Sequence, residues 1–524
     1  MSSTLGWGVL AVVTALLVGA CVADEPVVPG GSGGDGTDGG SSVNEGGISS
    51  EGGGSDDGGK IVTGPPIHAA TSVAFVDVDP AVGTVGGTVR IGKATDETDV
   101  TAYAIYAADT VGKKIGTTPL ATVAAAGKNL TVSIKEGTTP PAGATSLLAL
   151  SENALGEIAT GPKTPFADAT MHVTQIVDAT STGTIDSPSQ VLFDETNRTL
   201  RIVSGDPSLF SCALDGTNCQ RTVLSSVTSG VSALLGPSAA IDIVNQKLLI
   251  AGSVHDTAPS TYPVVIQTGL DGTSAALRDV SIGDRNYTQA SLAIDVANKK
   301  MLVVTENTNG AFNSYKSSLF QCNLDGTSCT FRDLSAGTSE MNPTFPSVAV
   351  DDASGNFLVA VNDNNNAILL VCPIASGACV GDGAGTILTA PTLLLDHTNN
   401  KAIIVSTDSS NEPLFIRCAI NGTGCATFHP AAATSAPAAI AMRAAGAIDA
   451  VDGKLIILTS AQSGASQSLF RCNLSDGMGC TYTDVSSGSY TGAAAVSVTV
   501  DPESGQILGL AQATNAPPWL VYFQ

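Results

Sequence analysis

Between about residues 185 and 524 one hydrophobic pattern recurs seven times. An apolar run ends in Asp, a short polar turn follows, and a second apolar run begins. The copies read VLFDETNRTLRIV at Asp194, AAIDIVNQKLLIA at Asp242, LAIDVANKKMLVV at Asp295 and VAVDDASGNFLVA at Asp351. LLLDHTNNKAIIV at Asp396, GAIDAVDGKLIIL at Asp449 and VTVDPESGQILGL at Asp501 complete the set. A second phrase follows most copies: LFSCALDGTNC, LFQCNLDGTSC, LLVCPIASGAC, LFIRCAINGTGC and LFRCNLSDGMGC. Short β-branched runs bounded by turn residues predict strands, and a period of about fifty predicts a propeller, solenoid or array.

Each unit reads as four strands, which in the first are QVLF, TLRIV, LFSCAL and CQRTVL. The first turn carries the repeated Asp with an Asn, Gly or Lys. The turn between the third and fourth strands carries Asp-Gly, the signal of a two-residue hairpin with positive φ. Six units are complete. The seventh has three strands, VSVTV, QILGL and WLVYF, and the missing fourth is available at Met171–Val177. A strand from one end that completes a blade begun at the other closes a ring and removes exposed edges. An open solenoid would need capping repeats instead. Residues 167–524 are therefore expected to form a seven-bladed β-propeller closed by an N-terminal strand. The pattern resembles propellers of the NHL, YWTD and YVTN kind, with no one family's signature complete.

The cysteines follow the same period. There are eleven: Cys21, then Cys212/Cys219, Cys322/Cys329, Cys372/Cys379, Cys418/Cys425 and Cys472/Cys480. Around an Asp-Gly hairpin, Cys212 lies opposite Cys219 on the neighbouring strand, within disulfide range. The last pair, Cys472/Cys480, holds one extra residue, which suggests a bulge. In the second unit both positions change together, to Thr268 and Ala275, as expected of one bond. Isolated two-Cys sites without His are poor zinc sites, so five disulfides are expected rather than metal. They imply an oxidising compartment.

Ahead of the repeats, residues 67–166 hold six or seven short apolar runs separated by turn signals, the pattern of a β-sandwich. Within Tyr103-Ala104-Ile105-Tyr106 the aromatics are expected on one face and the small apolar residues on the other. The stretch PAGATSLLALSENALGE resembles the last strands of fibronectin type III domains, and Ile91 stands near the place of that family's early-strand Trp. The resemblance implies a spacer or a protein-binding module, and a spacer is expected.

The N-terminus reads as an address. Residues 7–20 form an apolar run too short to span a membrane, ending in Val18-Gly19-Ala20-Cys21. That ending resembles the lipobox of bacterial lipoproteins. It implies a signal peptide over 1–20, a lipid on Cys21, and, from Val22 at the next position, outer-membrane sorting. No Lys or Arg precedes the apolar run, a departure from the usual signal. Residues 21–66 are rich in Gly, Ser and Asp and predict a flexible acidic tether. The GxSxG match at Gly30–Gly34 lies in this tether, with no strand before it and no helix after it. A net charge of −24, with charged residues at only 13%, argues against nucleic acid as a partner.

Function is expected on the longer connections at one end of the propeller, where a rigid scaffold presents variable loops. Tyr262, Arg285, Tyr287, Phe312, Tyr315, Lys316, Phe345 and Tyr490 fall there, an aromatic and basic set suited to a peptide or glycan. The competing expectation is that these side chains pin their own loops. The seven repeated Asp residues are expected to be structural, since a catalytic residue is a local exception and not a feature of every blade. His68, His172, His255, His397 and His429 show no paired ligand spacing. No cofactor is expected, with calcium on Asn362-Asp363-Asn364 as an alternative. The overall expectation is a monomeric, lipid-anchored surface protein that binds a protein or glycan and is not catalytic. The alternatives are a propeller enzyme of lactonase, lyase or glycosidase type with a site in the central channel, and a structural envelope component.

Overall fold

The computed structural model describes residues 63–523 apart from 76, 78, 80–82, 167–170, 177–189, 225–233, 256–260, 283–285, 308–315, 335–342, 435–440, 451, 462–466, 486–492 and 514–517. The leader, Cys21 and the tether lie outside these residues.

The described chain is almost entirely β. Seven four-stranded antiparallel sheets follow one another in sequence order. The first contains Gln190–Asp194, Thr199–Ser204, Ser208–Cys212 and Gln220–Val223. The last contains Ala493–Val500, Ile507–Ala513 and Trp519–Phe523, with Met171–Gln175 as its fourth strand. Val521 pairs with Val173 and Tyr522 with His172, whose rings stack at 5.1 Å. The innermost strand of each blade packs on that of the next, and the first packs on the seventh, so the ring is closed. This is a seven-bladed β-propeller. Its core lies between neighbouring blades: one cluster joins Leu192 and Val203 of blade 1 to Leu248 and Ile250 of blade 2, and the others repeat the arrangement.

The repeated Asp residues shape the first turn of every blade. Asp194, Asp242, Asp295 and Asp396 each accept the backbone N–H of the residue three ahead, and an Asn side chain there donates to the second oxygen. Asp449 and Asp501 also accept backbone N–H groups, while Asp351 takes the Ser354 hydroxyl. One residue further on, Arg198, Gln246, Lys299, Gly355, Asn400, Gly453 and Gly505 all have positive φ. The Asx bonds hold that left-handed residue in place, which explains the Gly and Asn found there.

The second turn departs from expectation. Gly216 has φ 72° and Asn218 φ 53°, but Asp215 is not left-handed. Gly216 N–H donates to the Ala213 carbonyl, and Asp215 Oδ1 accepts from Thr217 N and Oγ1 at 2.9 and 2.6 Å. The Asp is spent on a side-chain bond within a longer turn, so the hairpin is not a two-residue loop of primed type.

All five expected disulfides form: Cys212–Cys219, Cys322–Cys329, Cys372–Cys379, Cys418–Cys425 and Cys472–Cys480, with Cα atoms 3.9–4.3 Å apart. Two details of their setting differ from the sequence reading. In the first unit Cys219 is expected to open the fourth strand, but there and in the other stapled blades the strand begins one residue after the second Cys, at Gln220, Thr330, Val380, Ala426 and Thr481. Cys219, Cys329, Cys379, Cys425 and Cys480 are therefore the last residues of their turns. In blades 1, 3, 5 and 6 the residue just before has positive φ (Asn218, Ser328, Gly424 and Gly479), so the chain is still turning as it reaches the sulfur. The extra residue before Cys480 makes no bulge. Arg471 pairs with Thr481 as Ser211 pairs with Gln220, with no shift of register, so the turn absorbs it. The first Cys of each pair is buried, as is Cys379, while Cys329 and Cys480 are half-buried against the blade clusters.

The N-terminal sheets are three- and five-stranded and face one another across Val85, Val89, Ile91, Tyr103, Ile105, Ile134 and Leu147. Tyr103 and Tyr106 do not share a face. Three residues apart on a strand, they must point opposite ways. Tyr103 enters the sandwich core, while Tyr106 joins Leu148, Leu150 and Ile158 on the outer face. The sandwich docks on the short-turn end of blades 6 and 7. Glu136 lies 3.2 Å from Lys454 and 2.6 Å from Arg471, and Thr88 donates to Asp452 at 3.2 Å. Arg90 grips both the carbonyl and the carboxylate of Glu503, at 2.9 and 2.8 Å.

Candidate functional site

The short-turn end is partly occupied by the sandwich, so the opposite end of the channel is the candidate surface. Its walls are the seven innermost strands, each the edge of its own sheet. Edge N–H groups need partners, and side chains of neighbouring blades supply them. Gln190 accepts from Ala239 N (2.6 Å), Ser238 from Leu292 N (3.0 Å), Ser291 from Val348 N (3.0 Å), Ser347 from Leu393 N (2.9 Å) and Ser497 from Val191 N (3.1 Å). These residues all stand four before the repeated Asp. The aligned repeats therefore contain this signal, although small polar residues in strands are inconspicuous one copy at a time. Thr392 holds the position in blade 5, and blade 6 has Ala445.

Towards the long-loop end five innermost strands are bulged, at Leu235/Ser238, Thr288/Ala290, Thr344/Ser347, Ala441/Ala444 and Ala493/Ala495. Gln289 and Phe345 both take φ 53° at these points. A bulge turns a side chain away from its regular face, and bulges gather at barrel rims and binding sites.

Glu306 lies at one such junction. It faces Thr288 across its own blade and is 7% exposed. Burial pushes its pKa up to about 7, opposed by hydrogen bonds from Phe345 N–H and the Thr288 hydroxyl. In the unfolded chain the group ionises near pH 4.5. The folded state therefore holds the proton more tightly, and stability falls as pH rises from about 4.5 to 7. The whole span is worth on the order of 3 kcal/mol. Glu306→Gln is expected to flatten that part of the stability curve and to melt above the parent at pH 8. Urea titrations of both proteins at pH 5 and 8 check this.

Four of the aromatic and basic residues singled out by the sequence lie among the described residues. Tyr287 is buried, edge-on to Phe320 at 5.2 Å, in the core between blades 2 and 3. Lys316 is exposed and pairs with Asp333 at 2.9 Å on its own blade. Tyr262 is half-buried beside the blade 2 cluster. Phe345 is half-buried at the blade 4 bulge, its N–H held by Glu306. Arg285, Phe312, Tyr315 and Tyr490 lie outside the described residues. Asn362-Asp363-Asn364 enters a tight turn in which Asp363 pairs with Asn366. There Asn362 Oδ1 accepts Asn365 N–H and Asp363 accepts the Asn364 amide, so the loop itself uses these groups.

No protein-family model matches the chain, and no curated protein does. Among solved structures, it is similar to a chain of a nidogen/laminin complex at 16% identity and TM-score 0.32, covering 46% of this chain and 80% of that one. It is similar to the Cps50 (Swd1) β-propeller domain of Myceliophteria thermophila at 9% identity and TM-score 0.43, covering 66% and 98%. It is also similar to an auxiliary nutrient binding protein of Bacteroides thetaiotaomicron at 9% identity and TM-score 0.39, covering 87% and 97%. The propeller assignment rests on the chain's own seven sheets.

Among the described residues, one metal-capable group stands at the long-loop end of this propeller: Asp408, Glu412 and His429 bring ligand atoms within 4.8 Å of one another. Asp408 Oδ1 is already engaged by Ser410 and Glu412 N–H groups, which leaves Oδ2 towards His429 at 3.8 Å. Two of the other described histidines serve the fold: His68 bonds Asp99 at 2.8 Å, and His397 lies 3.6 Å from Asp351. The end as a whole offers backbone bulges, a protonatable carboxyl and scattered polar groups, a constellation suited to holding a ligand.

Proposed function

We propose that this chain is an extracytoplasmic binding propeller, held at the cell envelope by a lipid on Cys21 and a flexible tether, which takes a protein or glycan on its long-loop end. The observation that carries the reading is the docking of the sandwich. Glu136, Thr88 and Arg90 fasten it to the turns of blades 6 and 7. The tether leads into the sandwich, so the anchor approaches from the short-turn side and the bulged mouth faces away from it. Five disulfides support an oxidising compartment. In this reading the sandwich is a fixed pedestal rather than a loose spacer.

The test is binding of the purified chain, without its first 20 residues, to glycan and peptide arrays. Binding that is lost on substitution in the long-loop segments, with melting unchanged, supports the reading. Binding that is lost only on substitution of the sandwich or the short turns overturns it.

A further inference from the structure

Blade 6 differs from its neighbours at the long-loop end. Its innermost strand, Ala441–Asp449, carries Ala445 where the other blades place Gln, Ser or Thr. Just before it, at the bulge, stands the half-buried Arg443. Three other sunken arginines here have partners: Arg201 pairs with Asp194 at 2.8 Å, Arg221 with Asp206 at 2.5 Å, and Arg471 contacts Glu136, while Arg417 Nε is buried without one. The Arg443 guanidinium has no hydrogen bond and no ion pair among the described residues. Burial alone pushes its pKa down to about 10, with no carboxylate to offset it.

A second observation lies in the same row of the sheet. Ser460 stands opposite the bulge, and its hydroxyl donates to the Arg443 carbonyl at 3.4 Å. On the next strand the register continues from Leu458↔Leu469 to place Gln467 opposite Ser460. Directly opposed residues share a face of the sheet. Gln467 is 1% exposed, and among the described residues neither its amide oxygen nor its amide nitrogen has a partner. Buried polar groups are nearly always satisfied, and leaving one unpaired is costly. A lone guanidinium and an unused amide, two strands apart on one blade, are a costly arrangement for the protein alone. They suit a ligand that accepts from both.

We propose that the long-loop end of blade 6 is a subsite for a compact carboxylate, with Arg443 as the charged fork and Gln467 as a second donor. The planar guanidinium matches a carboxylate bidentately. The chain's charge of −24 repels anions at long range, so selectivity here comes from short-range donors. The proposal rests on the long-loop end being the binding face.

The test is thermal melting and calorimetric titration of the chain with sodium succinate, sodium galacturonate and sodium phosphate at pH 7. The parent is expected to melt higher in succinate or galacturonate. Arg443→Met is expected to melt at or above the parent, because it removes an uncompensated charge, and to bind at least tenfold more weakly. Gln467→Leu and Arg443→Lys, which keeps the charge but loses the fork, are expected to fold and to bind more weakly. A parent blind to both carboxylates overturns the proposal. So do an Arg443→Met protein that responds like the parent, one that is strongly destabilised or unfolded, and a phosphate response equal to that of the carboxylates. Array binding that survives in a parent blind to carboxylates would sink this subsite and leave the binding face standing.

Discussion

Deleting Met171–Gln175 is expected to cost the propeller more stability than any single substitution within it. This strand is the fourth of the closing blade. Leu520 pairs with Thr174 and Val521 with Val173, while Ile176 follows at 1% exposure in a cluster with Leu508, Leu510 and Tyr522. Removing the strand uncovers two or three apolar side chains, each worth about 1.5–3 kcal/mol. The loss is therefore on the order of 5 kcal/mol before any effect on neighbouring blades. It also frees the edge of Trp519–Phe523, an apolar strand able to pair with another chain. The deleted protein is expected to melt well below the parent and to sediment as larger species. A milder variant, Val173→Asp, should move both readouts in the same direction. Melting that coincides with the parent's would mean that the ring does not depend on this strand.

Full reduction of the disulfides should have a larger effect still. Each disulfide closes a ring of about eight residues, worth roughly 2–3 kcal/mol in the loop-entropy model. The five lie in five different blades, 1 and 3–6, so their contributions should be nearly additive. Full reduction then removes on the order of 10 kcal/mol by that model, enough to unfold an ordinary domain. Replacing one pair, such as Cys418 and Cys425 by Ser, should lower stability by about 2 kcal/mol, and a second pair should lower it again by a similar amount. Urea unfolding of single, double and fully reduced forms checks this. A flat response would show that the bonds follow the fold without supporting it.

Much of the architecture is legible because it repeats. The Asp at the end of each innermost strand and the paired cysteines recur at one period, and recurrence reveals what a single copy hides. The closing strand is legible by subtraction, as three strands at one end and one spare at the other. Turn chemistry is less so. Asp-Gly marks where Asp215 and Gly216 turn the chain, but not that Asp215 bonds to Thr217 instead of adopting positive φ. Nor does the extra residue before Cys480 say whether strand or turn absorbs it, because spacing alone carries no register. The site is least legible. Tyr287 looks like a binding aromatic in the sequence, yet it packs on Phe320, because strand register decides which face a residue takes. Arg443 and Gln467 lie 24 positions apart and fall in one row of blade 6, two strands apart, only through its register. The docking of the sandwich, through Glu136 and Arg471, likewise depends on surfaces that no periodic pattern encodes.

The closed ring is the claim on which the rest depends, since it sets the two ends of the channel and the direction the mouth faces. Native-state hydrogen exchange on the intact chain tests it most directly. Amides of residues 171–176 should exchange as slowly as those of 519–523, their partners in the closing blade. Exchange of 171–176 at the rate of an unstructured peptide, with 519–523 still protected, would contradict the closure.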